Sequence, residues 1–168
     1  MIAADRQFHR PGPPARRRWK KGGPDNAIGR SRGGLSTKIH AVVDQDGLPV
    51  RVLITAGQAS DKTTAFELLD ELPLADVVAD RGYDSRAVLD MVAARGGEAR
   101  IPTQSGVKVQ RSVEPGLYRQ RNLVERYFCN LKQFRRIATR FEKLARNFLA
   151  AVALASARLW LRSIESTP

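Results

Sequence analysis

The period of the apolar positions changes several times along this chain, and each change marks an element. Leu35-Ser-Thr-Lys-Ile-His-Ala-Val-Val43 is apolar at alternate positions, Asp44-Gln-Asp-Gly47 is polar, and Leu48-Pro-Val-Arg-Val-Leu-Ile-Thr55 is apolar again. Two strands around an Asp-Gly turn predict a β-hairpin. Gly57-Gln-Ala-Ser60 ends it, and Ser60 is placed to cap a helix reaching Leu72, with Phe66, Leu68, Leu69 and Leu72 as its buried stripe. Pro73 stops that helix, and Asp76-Val-Val-Ala-Asp80 follows as a short buried strand ending on an acid. Gly82 lets the chain turn, Tyr83 walls the space beyond, and Asp84 or Ser85 caps a helix through Val88, Leu89, Met91 and Val92. Gly96-Gly97 closes it, and Glu98 to Pro102 reads as a proline-ended edge strand.

Farther on the period becomes helical and stays so. Leu117, Leu123, Val124, Phe128 and Leu131 form one apolar stripe, which predicts a single amphipathic helix over Tyr118 to Lys132 with Glu125 beside the stripe. Arg121 and Lys132 share roughly its face. Phe141 to Ile164, rich in Ala and Leu, predicts a last helix packed on the sheet. Residues 1–34 show almost no periodicity and are rich in proline and glycine, so they read as a disordered arm ahead of one domain over residues 35–164. The chain shows no internal repeats.

Charge sharpens this picture. The net charge is +12 and the pI about 10.8, a range in which a polyanion is the leading partner. Its distribution says more than its total. Residues 1–38 hold 10 basic against 2 acidic side chains, residues 39–104 hold 6 against 11, and residues 105–146 hold 11 against 3. An acidic middle flanked by basic stretches suits DNA gripped on either side of a carboxylate-lined metal site; a ribosomal-type protein rarely needs the acidic middle. A single cysteine, Cys129, excludes an internal disulfide framework and a zinc-type cluster, suits a reducing cytoplasm, and reads as a small core residue. No apolar run is long enough to span a membrane, and the N-terminus lacks a signal-peptide core.

Asp80 stands where open α/β sheets place ligands and ions, at the carboxyl end of a strand. Glu125, held by a packed helix and ringed by cations, suits a metal ion that also meets phosphate; an exposed helix laced with ion pairs remains the plainer alternative. Arg16 to Lys21, with Trp19 between them, either lie along a phosphate backbone or form a solvated tail. The loop Thr103 to Gly116 is read as flexible and DNA-facing, with Lys108 and Arg111 available to phosphates. His40, on the same strand face as Lys38, is structural or DNA-facing in preference to a metal ligand.

Three motifs in order carry a resemblance. Tyr118, Arg121, Glu125 and Lys132 match in type and spacing the Tyr-Arg-Glu-Lys signature of bacterial insertion-sequence transposases with an Asp-Asp-Glu catalytic core. Val77-Val-Ala-Asp80-Arg-Gly-Tyr83-Asp-Ser resembles the segment bearing their second catalytic Asp, and Leu131 to Phe148 is similar to their closing segment. The resemblance runs from about Ala27 to Arg162. It implies an α/β, ribonuclease-H-like mixed sheet flanked by helices, lacking here its first strand, since no strand-like run precedes Gly29 and neither Asp5 nor Asp25 inherits the first catalytic role. The family's N-terminal helical DNA-binding region is also expected to be absent.

The function implied is DNA transposition by metal-dependent strand cleavage and transfer. Asp80 and Glu125 would be two of three carboxylates holding Mg²⁺ or Mn²⁺. Tyr118, Arg121, Lys132, Lys38, Arg135 and Arg136 would contact DNA, the insertion-sequence terminal repeats, in the bacterial nucleoid. With one Asp missing, the chain is expected to be part of a frameshifted or truncated transposase, working with an upstream portion or a second copy. Read one nucleotide later, permitted codons for residues 4–15 can encode Pro-Ile-Asp-Ser-Ser-Ile-Val-Arg-Ala-His-Gln, which resembles the family's first strand. A catalytically silent DNA-binding regulator is the alternative, and a general RNA-binding protein leaves Asp80 and Glu125 unexplained.

Overall fold

The computed structural model of the chain describes residues 2–9 and 26–166. It is a mixed α/β protein with strands β1 (Ile2–His9), β2 (Gly29–Ser31), β3 (Gly34–Val43), β4 (Pro49–Ala56), β5 (Asp76–Ala79) and β6 (Glu98–Arg100). The helices are α1 (Asp61–Leu69), α2 (Arg86–Ala94), α3 (Pro115–Arg119), α4 (Asn122–Gln133), α5 (Arg135–Ala138) and α6 (Ala145–Glu165). The strand order is β2-β3-β1-β5-β6, with β4 paired to β3. By contacts the described residues divide into two compact units, 2–5, 40–52 and 60–127 in the first, 6–9, 26–39, 53–59 and 128–166 in the second.

In the first unit β5 is the hub. It pairs in parallel with β1, Ile2 opposite Val78 and Ala3 opposite Ala79, and in parallel with β6, Asp76 opposite Glu98. The sequence predicted no strand before Gly29; the structure has β1 there, at Ile2–His9. Its residues alternate weakly, Ile2, Ala4 and Phe8 against Asp5 and Gln7. Pairing with a formed neighbour therefore decides its state more than its own propensity does. The disordered-arm expectation for residues 10–25, with Arg16 to Lys21, Trp19 and Asp25, lies outside the described residues.

Against β5 and β6 pack Ala65, Leu68 and Leu69 of α1 and Val88 and Val92 of α2, all buried with Val77, Val78, Tyr83 and Ile101. Helix α1 ends three residues before the expected Leu72, and Phe66 is exposed, its place in the buried stripe taken by Thr64 and Ala65. The last carbonyls of α1 are satisfied from a distance. Arg51 donates to Glu67 O (2.9 Å) and Asp70 O (2.6 Å), and Arg95 to Leu69 O (2.7 Å) and Leu72 O (2.6 Å), because α1 has no basic residue of its own in the last turn. Helix α2 starts as predicted, with Ser85 Oγ accepting from Val88 N at 3.2 Å. The hairpin turn is also as read: Asp44 Oδ1 accepts from Asp46 N and Leu48 N, both at 2.9 Å, and Gly47 takes a φ of 81°.

In the second unit β2 and β3 form an antiparallel pair, Gly29 opposite Ser36 and Ser31 opposite Gly34. Strand β3 is buried at every position from Ser36 to Val43, so the alternation in its sequence does not mark one wet face. Gly57 backs onto it so closely that a Cβ there would lie 1.9 Å from Ser36 Oγ. The last helix begins at Ala145 in place of Phe141, after a short α5 and a left-handed Arg140 (φ 49°). Phe148, Val152, Ala155 and Ser156 are its buried residues.

Candidate active site

Asp80 directly follows the last residue of β5 and heads the 3-10 turn Arg81–Tyr83. The turn is braced from within: Tyr83 N donates to Asp80 O (2.9 Å), and the Tyr83 hydroxyl shares a hydrogen bond with His40 Nδ1 (3.1 Å). Tyr83 and His40 are both buried. Tyr83 thus supports the turn from the core instead of lining an open site, and His40 is structural. Gly82 passes close to α1, where a Cβ would lie 2.7 Å from Asp61 Oδ2 and that carboxyl would have to shift.

Glu125 lies in the first turn of α4, where a carboxylate is favoured by the amino-terminal end of the helix dipole. The expected single helix is two: α3 ends at Arg119, and Arg121 stands in the break before α4. One guanidinium there meets both acids, Glu125 one helical turn on and Asp80 from the end of β5. Arg121 Nη1 donates to Asp80 Oδ1 at 2.9 Å and Nη2 to Glu125 Oε1 at 2.8 Å. The same guanidinium lies 5.7 Å from the centre of the Tyr118 ring. Asp80, Tyr118, Arg121 and Glu125 therefore gather in the first unit, each partly exposed. Partial burial pulls the Arg121 pKa down, but the charges of Asp80 and Glu125, then Tyr118 and the Glu125 hydrogen bond, carry it above its ordinary value, so it is a permanent cation.

The loop after β6 is pinned more than its sequence suggested. Arg111 donates to Asp84 Oδ1 and, at 3.3 Å, to Ile101 O; Gln104 N donates to Asp84 Oδ2 at 2.9 Å; Arg111 N donates to Thr103 Oγ1 at 2.8 Å. Burial raises the Asp84 pKa, yet the Arg111 and Gln104 hydrogen bonds and the Arg111 and Lys62 charges outweigh it and leave the carboxyl below its ordinary range. Arg111 is thus engaged within the fold, while Lys108 is exposed.

The remaining candidates lie in the second unit. Lys132, Arg135 and Arg136 are exposed, Arg136 paired with Glu142 at 2.7 Å. Lys38 is buried, its Nζ donating to Ala59 O at 3.1 Å. Cys129 is exposed instead of in the core, because α4 buries Val124, Tyr127, Phe128 and Leu131 and residue 129 turns away from that face. Tyr127 was missed from the stripe, a polar-tipped aromatic that the apolar count passed over. Among the described residues no group of three or more His, Cys, Asp or Glu converges on one point, and no helix is long and apolar enough to cross a membrane.

Two carboxylates and a guanidinium thus meet just beyond the carboxyl end of β5, the position where open α/β sheets place ligands. Comparison with known proteins makes this specific. The chain belongs to the transposase DDE domain family, whose model matches residues 2–160. It is 39% identical over 133 residues to a protein described as a candidate transposase for insertion sequence element IS6501 of Brucella ovis, covering 76% of this chain and 100% of that one. It is 34% identical over 143 residues to one described in the same way for IS402 of Burkholderia cepacia, covering 77% of this chain and 64% of that one. No solved structure matches.

Proposed function

We propose that this chain acts in DNA transposition as a ribonuclease-H-like catalytic core that cuts and transfers strands at insertion-sequence ends. The observation that carries the reading is the convergence of Asp80 and Glu125 on one guanidinium in a chain of this family. Two partly exposed carboxylates, already spanned by a cation and offering only oxygen donors, fit Mg²⁺ or Mn²⁺, which complete their shells with water and phosphate oxygens. Bound there, such ions activate water or a 3′-hydroxyl and stabilise the leaving oxygen.

The chain's own residues supply position and charge. Strand β5 and the His40–Tyr83 brace fix Asp80, and the first turn of α4 fixes Glu125. Tyr118 and Arg121 are assigned to DNA near the scissile phosphate; exposed Lys132, Arg135 and Arg136, in the second unit, are assigned to further DNA contacts. Lys38, buried on Ala59 O, is the weakest of the set. For the third carboxylate, Asp5 is the acidic residue of β1, the strand paired to β5. Its rival is the Asp of the alternative reading frame, supplied by frameshifting or lost.

A plasmid-nicking assay with Mg²⁺ on DNA bearing the terminal repeats tests this. With one catalytic Asp missing, little cutting is expected of this chain alone; nicking by wild type with Asp80→Ala and Glu125→Ala at background would establish it as the enzyme. Salt-sensitive binding with no cutting by wild type would establish the silent-regulator reading instead. Asp5→Asn at background assigns the third carboxylate to Asp5; unchanged activity removes it. The +1 frame upstream of codon 18 then either contains an Asp in a strand-like run or ends the frameshift idea.

A further inference from the structure

Arg121 lies between the two acids, and each of its terminal nitrogens serves a different carboxylate. We propose that Arg121 is an exchangeable counter-ion: it holds Asp80 and Glu125 in the metal-free protein and passes to a DNA phosphate when a divalent cation takes those carboxylates. Metal and DNA then bind with positive coupling through one side chain. The inference rests on the reading of Asp80 and Glu125 as metal ligands.

Three observations carry it. The guanidinium splits its two terminal nitrogens between the acids, Nη1 to Asp80 at 2.9 Å and Nη2 to Glu125 at 2.8 Å. Each bond is replaceable. The side chains are 28%, 31% and 37% exposed for Arg121, Asp80 and Glu125, so both an ion and a phosphate can approach. The Tyr118 ring beside the guanidinium offers a face on which it can rest while its partners change. A divalent cation held by Asp80 and Glu125 would compete with Arg121 for those carboxylates, and a displaced planar fork matches phosphate geometry. Without DNA the ion must strand that fork in water; with DNA the fork gains a partner, and by linkage the ion strengthens DNA binding by the same factor.

Mn²⁺ uptake without DNA, followed by loss of the free-ion paramagnetic resonance signal, tests the exchange. Arg121→Gln should bind Mn²⁺ about tenfold more tightly than wild type, Arg121→Lys should fall between, and Glu125→Gln should bind none. If Arg121→Gln does not fold, the Lys variant carries the comparison. In a metal-free anisotropy titration with a short labelled duplex, Asp80→Asn combined with Glu125→Gln should tighten binding. The same pair in an Arg121→Gln background should add nothing, although the charge change is identical. Equal Mn²⁺ affinity in wild type and the Arg121 variants overturns the exchange. In that case loss of Mn²⁺ by Glu125→Gln still upholds the metal site. No uptake by any variant overturns both.

Discussion

Arg140 shows how much a single side chain can hold. It is 1% exposed, with Nε donating to Thr37 Oγ1 at 2.9 Å, Nη2 to Asn26 O at 2.8 Å, a further bond to Glu142 O, and the Phe148 ring 4.1 Å from its guanidinium. Thr37 Oγ1 in turn donates to Ala27 O at 2.6 Å. Arg140→Leu would leave the two carbonyls and the hydroxyl without that donor at about 1–3 kcal/mol each, so urea unfolding should show a loss of at least about 3 kcal/mol. Asp84 gives a smaller, pH-dependent effect. A carboxyl lowered by folding stabilises fully above its unfolded pKa and loses that contribution as pH falls through the folded value. Asp84→Asn should therefore cost about 1–2 kcal/mol at pH 7, and the difference should start to close only as pH falls below about 4, vanishing once the folded carboxyl is protonated. A constant difference at all pH values would break the assignment to the carboxylate charge.

At the scale of elements, what the sequence revealed is what local chemistry decides. Ser85 caps α2 through Val88 N, and Ser85→Ala should lower stability by about 1 kcal/mol in thermal or urea unfolding. The Asp-Gly hairpin, β5 ending before Asp80, and the glycine stop of α2 were legible for the same reason: cap, turn and breaker act within a few residues. Glu125 and Asp80 were legible as chemistry. That Arg121 joins Glu125, one helical turn on, was legible from their spacing, but its second bond, to Asp80 forty-one residues away, was not. Strand β1 escaped because its state is decided by β5, seventy-odd residues away in sequence. The carbonyls ending α1 find Arg51 and Arg95, partners no local pattern announces. Phe66 and Cys129 erred toward the core since periodicity assigns a face but not how much of it a neighbour covers.

For the molecule as a whole, charge is the property that reaches farthest. Basic stretches on either side of an acidic middle, with no base-reading module evident in the sequence, predict DNA binding dominated by phosphate contacts. The logarithm of affinity should then fall steeply and linearly with the logarithm of salt concentration, and filter-binding or anisotropy titrations between low and moderate ionic strength measure it. A flat response would contradict a phosphate-led interface. Strand β1 carries a different lesson. Its ladder to β5 uses main-chain amides at Ile2 and Ala3, groups that every residue but proline can offer. A change of side chain in such a strand can therefore alter the chemistry it offers without breaking its pairing to the neighbour.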